Sequence, residues 1–233
     1  MNRLISTKEG IQKLFISRTV SREKKSKMIK PLDLAYFKKI FYQEAKSLYA
    51  ERRKKFEVDS ENKRFLELFC QYFTGDESFE NQDGANLDKG LFIYGNPGSG
   101  KTTSLKILQR IAIKYNLSQI WLPMIQTSEV VQKYNINKNK EYIIEYYSKG
   151  NFIFDDLGAE IHANNVFVFG KEDIFIRIIE ARYNNFIERG IKTHITSNLT
   201  IDEINQRYGP RVADRFYEMF NLLPLYKSGD SRR

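Results

Sequence analysis

The sequence predicts an α/β fold, a parallel sheet flanked by helices, preceded by a small basic helical region. Three observations lead there. Beyond about residue 85, short apolar runs alternate with helical stretches, the pattern of parallel strands joined by crossover helices. Between the first run and the first helix lies Gly95-Asn96-Pro97-Gly98-Ser99-Gly100-Lys101-Thr102-Thr103, a glycine-rich loop ending in a lysine and two hydroxyls. The basic excess is confined to the start of the chain: residues 1–60 hold sixteen Lys/Arg against seven Asp/Glu, and the remainder holds twenty-two of each.

Taken in order, residues 1–30 place short apolar patches (Ile11, Leu14, Phe15) in a lysine-rich background, and weak helix or disorder is expected there. From Asp33 onward, Tyr36, Phe37, Ile40, Phe41, Ala45, Leu48 and Tyr49 recur at spacings of three and four, which puts them on one helix face. That helix runs into the charged tract Glu51–Lys55, and a second, shorter one carries Phe65, Leu66, Phe69, Tyr72 and Phe73. The Gly-, Asp- and Asn-rich stretch Thr74–Lys89 reads as a loop. Strands are expected at Leu91–Tyr94, Ile120–Ile125, Phe152–Phe154, Thr193–Thr196 and Leu222–Tyr226, and helices at about 101–115, 127–148, 172–189 and 201–219. Gly190 follows the third of these helices where a C-terminal cap belongs. The division expected is a basic partner-binding region over 1–60 and the nucleotide-binding domain over 61–233.

A chain of 233 residues, 41% hydrophobic, can bury one sizeable core. It has no run near the ~18 apolar residues of a membrane span and no apolar stretch with a cleavage site at its start. One cysteine, Cys70, excludes an internal disulfide, and two histidines argue against a zinc site. A reducing cytoplasm is the expected location. The basic N-terminal quarter suits phosphates of nucleic acid or an acidic protein, although a solvated helical face explains it equally well.

The loop Gly95 to Thr102 satisfies G-x-x-x-x-G-K-[ST], the Walker A pattern, and an apolar strand and a helix flank it as the chemistry requires. Its glycines let backbone N–H groups turn toward phosphates, Lys101 supplies a positive charge, and the Thr102 hydroxyl can ligate Mg²⁺. The helix N-terminus adds its partial positive charge. ATP with Mg²⁺ is therefore the expected ligand. A carboxylate at the tip of a neighbouring buried strand should complete the site, and Phe152-Ile-Phe-Asp155-Asp156 supplies it. Asp155 is expected to hold the metal through its water shell, and Asp156 to orient or deprotonate the attacking water. Glu160 is an alternative acid, with a surface-loop glutamate the blander account. The strand ending His194-Ile-Thr-Ser-Asn198 offers an amide that can sense the γ-phosphate, while His194 is expected to be packed or hydrogen-bonded. The adenine pocket is expected in the chain before Gly90, around Phe73.

Together, Gly-Asn-Pro-Gly-Ser-Gly-Lys-Thr, Phe-Ile-Phe-Asp-Asp-Leu-Gly-Ala-Glu, Thr-Ser-Asn-Leu and Tyr-Gly-Pro-Arg-Val-Ala-Asp-Arg-Phe resemble the AAA+ ATPases of the DnaC/IstB group over roughly residues 90–233. The resemblance implies a helicase loader or a transposition helper. It implies that Arg215 is an arginine finger acting on a neighbouring subunit's ATP, with Arg211 one turn earlier in support, and that Arg232 or Arg233 is a sensor-2 arginine. It also implies self-association into a ring or spiral, a hexameric replicative helicase as partner, and single-stranded DNA held by residues in the 127–148 region such as Lys138 and Lys140.

The leading expectation is a loader that uses ATP binding to assemble on helicase and DNA, with slow hydrolysis resetting it. An IstB-type transposition ATPase uses the same domain and differs in its partner-binding segment. A P-loop small-molecule kinase would need an arginine-bearing lid, and no stretch reads as one. A non-hydrolysing DNA clamp is weakened by the set Lys101, Asp155, Asp156 and Asn198, and no Leu-Ser-Gly-Gly signature points to a transporter ATPase.

Overall fold

The computed structural model describes residues 32–162 and 173–229. The expectations for residues 1–30, and for Arg232 or Arg233 as a sensor, lie outside them. Two helices come first, α1 (Leu34–Glu51) and α2 (Lys63–Thr74). The α/β part then runs β1 (Gly90–Tyr94), α3 (Lys101–Lys114), β2 (Met124–Gln126), α4 (Thr127–Ile136), α5 (Lys140–Ser148), β3 (Phe152–Leu157), α6 (Ile174–Arg189), β4 (Thr193–Ser197), α7 (Ile201–Tyr208), α8 (Pro210–Met219) and β5 (Phe220–Pro224). All five strands are parallel, in the order β2-β3-β4-β1-β5. The phosphate loop therefore leaves the sheet from a strand flanked on both sides.

The pleat of β1 distributes the two cores. Leu91 and Ile93 pack with α1, α2 and α3 on one face, while Phe92 packs with α4 to α8 on the other. Helix α1, which the sequence groups with the basic N-terminal region, is built into the first core through Phe37, Ile40, Phe41 and Leu48. Its buried Glu44 pairs with Lys114 of α3, and Glu51 meets Arg110 at 2.7 Å. The compact unit accordingly begins at Leu32.

Several boundaries differ from expectation for local reasons. The run Ile120–Ile125 yields only the short β2, because a 3-10 turn covers Ser118–Ile120 and Pro123 has no N–H for the ladder. The Pro123 carbonyl still accepts Ile153 N–H at 2.9 Å. The stretch 127–148 is two helices, broken where Asn137 folds onto the Asn139 N–H and Asn139 caps α5. The stretch 201–219 breaks at Gly209-Pro210, with Gly209 at φ 90° and Pro210 opening α8. Asp173 caps α6, and Gly190 ends it in the left-handed region, as its position in the sequence indicates.

Candidate nucleotide site

The carboxylate strand is not the immediate neighbour of β1: β4 lies between them. This corrects the expectation of an adjacent strand. The tips still converge, because β4 contributes a bridging hydroxyl. Thr102 Oγ1 donates to Asp155 Oδ1 at 2.8 Å, and Thr196 Oγ1 of β4 donates to the same oxygen at 2.6 Å. Asp155 is almost wholly buried, so its charge is held by these two hydroxyls at the foot of α3.

Asp155 and Asp156 follow one another in β3, and in a regular strand their side chains would face opposite sides of the sheet. The β3–β4 register shifts between Phe154 and Leu157, and Asp156 sits at φ 64°. A bulge of this kind re-aims a side chain at a cost of order 1–3 kcal/mol for the left-handed residue. Here it is held from three directions. Asp156 N–H donates to Thr196 Oγ1 at 2.8 Å, its carbonyl accepts Thr127 Oγ1 at 2.8 Å, and its carboxylate accepts Asn198 Nδ2 at 2.9 Å. Both aspartates consequently face the phosphate loop.

Lys101 is buried beneath the loop, and its ammonium donates to Gly95 O at 2.7 Å, Asn96 O at 3.0 Å and Asn198 Oδ1 at 2.9 Å. Gly98, Gly100, Lys101, Thr102, Thr103, Asp156 and Asn198 line one small cleft. Ser99, also buried, and Pro97 complete the loop above it. Gly95 has φ 147°, and a Cβ there would stand 2.0 Å from the Leu225 carbonyl. The loop can pass that carbonyl only as glycine. Asn96 clasps the segment after β5, its Oδ1 accepting Lys227 N–H at 2.9 Å and its Nδ2 donating to Lys227 O at 2.5 Å. Nothing local in the sequence pointed to this pairing across 131 positions.

The residues suit a nucleotide with magnesium. Thr102 Oγ1 and Asp155 Oδ1 are 2.8 Å apart, so the hydroxyl could ligate Mg²⁺ while the carboxylate holds it through a shared shell of water. Among the described residues no group of three or more His, Cys, Asp or Glu could hold a metal by itself, so further ligands would come from phosphate and water, as is usual for Mg²⁺.

The other residues singled out in the sequence lie in varied settings. Glu160 is not a surface-loop residue: it is fully buried, accepting Gly158 N–H at 2.7 Å and pairing with Tyr208 and Arg207 of α7. Phe73 does not border the phosphate loop. It is buried with its ring 5.8 Å from His194, which pairs with Leu91 at the far end of β1. Of the chain before Gly90, Glu61 meets the segment after β5, accepting Ser228 N–H at 3.0 Å. His194 is packed as expected, with Nδ1 accepting Leu91 N–H at 3.2 Å and burial lowering its pKa to about 3. Arg215 and Arg211 both reach Glu180 of α6, at 2.9 and 3.3 Å. Their exposures diverge: the Arg215 side chain is 9% exposed and lies 4.8 Å above the Tyr183 ring, whereas that of Arg211 is 75% exposed. Lys138 and Lys140 lie exposed at the α4–α5 junction. No helix among the described residues is long and apolar enough to cross a membrane.

No family model matches the chain. Among solved structures it is similar to the DnaC helicase loader, at 22% identity and TM-score 0.48 over 73% of this chain and 93% of that one. It is similar to DnaI at 17% identity and TM-score 0.49, over 72% and 86% of the two chains. It is also similar to AMPPCP-bound DnaA from Aquifex aeolicus at 18% identity and TM-score 0.48, over 76% and 50%. Its own all-parallel sheet and the phosphate loop at the end of a central strand make this a P-loop α/β fold.

Proposed function

We propose that this protein is an ATPase that loads or remodels a hexameric replicative helicase on single-stranded DNA. The observation that carries the ATPase reading is a single hydrogen-bonded chain, Lys101–Asn198–Asp156 with Thr196–Asp155–Thr102, spanning the tips of β3 and β4 and the foot of α3. In this reading Lys101 and the N–H groups of the loop 95–101 hold the terminal phosphates, and Thr102 and Asp155 hold Mg²⁺. Bound Mg²⁺ neutralises charge that develops on the transferred phosphoryl group. Asp156 takes the proton of the attacking water, and Asn198 keeps that carboxylate and Lys101 in register.

The loader reading rests on the sequence resemblance and on the basic chain ahead of residue 61, which we assign to partner binding. Helix α1 leaves Tyr36 and Tyr42 exposed while its other face is built into the core, so it can present a docking surface without unfolding. Self-association brings an arginine of α8 to a neighbour's phosphates, where a guanidinium raises phosphoryl transfer by about 10³–10⁵.

Steady-state ATPase assays with and without single-stranded DNA, alongside capture of a hexameric helicase by the full chain, test this. Slow hydrolysis that DNA alters and that Lys101→Ala abolishes is the expected result. Hydrolysis indifferent to DNA, with no helicase captured, would remove the loader role and leave a P-loop ATPase.

A further inference from the structure

Glu160 is an ionisable group with no part in the mechanism above, and it is fully buried. Its carboxylate joins two elements. Oε2 accepts the N–H of Gly158 at 2.7 Å, closing the turn that follows Asp155 and Asp156. Oε1 accepts from the Tyr208 hydroxyl and from Arg207 Nη2 at 3.2 Å, at the last turn of α7. Arg207 also lies 3.6 Å from Asp173, the residue that caps α6. Burial and the nearby carboxylate raise the Tyr208 phenol well above its ordinary pKa, so it remains a donor.

Gly158 sits at φ 102°, and a Cβ on it would come within 2.8 Å of Leu199. Helix α7 is therefore tied to the carboxylate segment at both ends, through Asn198 to Asp156 at its start and through Glu160 at its close. After Gly209 the chain enters α8, which carries Arg211 and Arg215. Glu160 thus joins the turn that follows Asp156 to the end of α7 by hydrogen bonds on both of its oxygens.

We propose that Glu160 is a positioning residue that couples the Asp155–Asp156 segment to the arginine-bearing helix α8; the proposal rests on the ATPase reading. Glu160→Gln keeps an oxygen for Gly158 but turns an amide donor toward two donors, so the close of α7 comes loose while the fold and the phosphate loop persist. In Glu160→Gln/Arg207→Gln the two amides can pair again.

The test uses the full chain and three readouts: ATP affinity with a fluorescent ATP analogue, steady-state hydrolysis, and hydrogen exchange across residues 201–219 with and without ATP and Mg²⁺. For Glu160→Gln, kcat should fall about 10–100-fold with ATP affinity within about threefold of wild type. ATP should protect α7 and α8 in the wild type and lose that effect in the variant, and the double variant should regain part of both. If Glu160→Gln fails to fold, Tyr208→Phe, which retains the Glu160 charge, takes its place with a smaller fall in kcat and a weaker ATP effect on α8. A variant that binds and hydrolyses ATP like the wild type, with α8 still protected, overturns the coupling alone. A wild-type chain that binds no ATP overturns the ATPase reading and the coupling with it.

Discussion

The Asn198 side-chain oxygen lies 2.9 Å from the Lys101 ammonium, and its amide nitrogen lies 2.9 Å from the Asp156 carboxylate. One amide thus ties the lysine of the glycine-rich loop to the second acidic residue, with an acceptor for the cation and a donor for the anion. An aspartate or alanine at this position cannot serve both. Asn198→Ala should lower kcat about 10²-fold, the scale of losing one positioned polar group in an active site. ATP affinity should change far less, since the loop and Lys101 are intact. Parallel measurement of kcat and of the dissociation constant separates the two, and an unchanged kcat would deny Asn198 its role.

Thr196 has a role invisible at the sequence level. Its hydroxyl donates to Asp155 at 2.6 Å and accepts Asp156 N–H at 2.8 Å, which pins the bulge. Thr196→Val keeps the shape and β propensity but strands a buried N–H and removes a donor from a buried carboxylate. A stability loss of about 1–3 kcal/mol is expected, together with a higher Mg²⁺ requirement for hydrolysis. Urea unfolding and a Mg²⁺ titration report the two effects. A variant unchanged in both would mean that Thr102 alone orients Asp155.

The two arginines of α8 should separate by exposure. Arg215 is 9% exposed and stacked over Tyr183, so Arg215→Ala should cost about 1–2 kcal/mol through lost packing and cation–π contact. Arg211 is 75% exposed, and Arg211→Ala should leave unfolding within about 0.5 kcal/mol of wild type. If one of them acts across a subunit boundary, Arg211 already projects from the surface, whereas Arg215 would first have to leave Tyr183. Urea unfolding combined with ATPase assays at rising protein concentration distinguishes them. Arg215→Ala that is fully stable yet inactive would support the finger at Arg215.

His194 predicts an acid-sensitive component of stability. Its folded pKa of about 3 lies below the ordinary histidine value of 6.5, so the unfolded chain binds a proton that the folded chain refuses. The contribution is whole above pH ~6.5 and is lost on acidification toward pH ~3, at up to about 1.4 kcal/mol per pH unit. His194→Asn retains an acceptor for Leu91 N–H without a titrating ring. It should therefore be less stable at pH 7 through lost packing, but show a shallower loss between pH 6.5 and 4. Parallel slopes for variant and wild type would show that carboxylates alone set the acid limit.

The fold class and the phosphate loop were legible because each rests on local pattern. Strand and helix periodicities mark α/β alternation, and Gly95 to Thr102 is a contiguous motif whose geometry is built from its own backbone. Gly190 could be read the same way, since a cap is a property of a few neighbouring residues. The breaks at Asn137–Asn139 and Gly209-Pro210 were equally local, and their turn chemistry outweighs the helical periodicity around them.

The sequence by itself determined a P-loop α/β chain with Lys101, Thr102, Asp155, Asp156 and Asn198 as its chemical set. Tertiary structure alone decided how that set is held: β4 inserted between β1 and β3, Thr196 bridging the aspartates, Asn96 clasping Lys227, and Glu160 drawn inside against α7. Exposure of Arg211 and burial of Arg215 belong to the same category. The physical reason is common to all of them. Strand order and burial depend on which distant surfaces pack together, and a hydrogen bond between residues 40 or 131 positions apart leaves no periodicity in the chain that forms it.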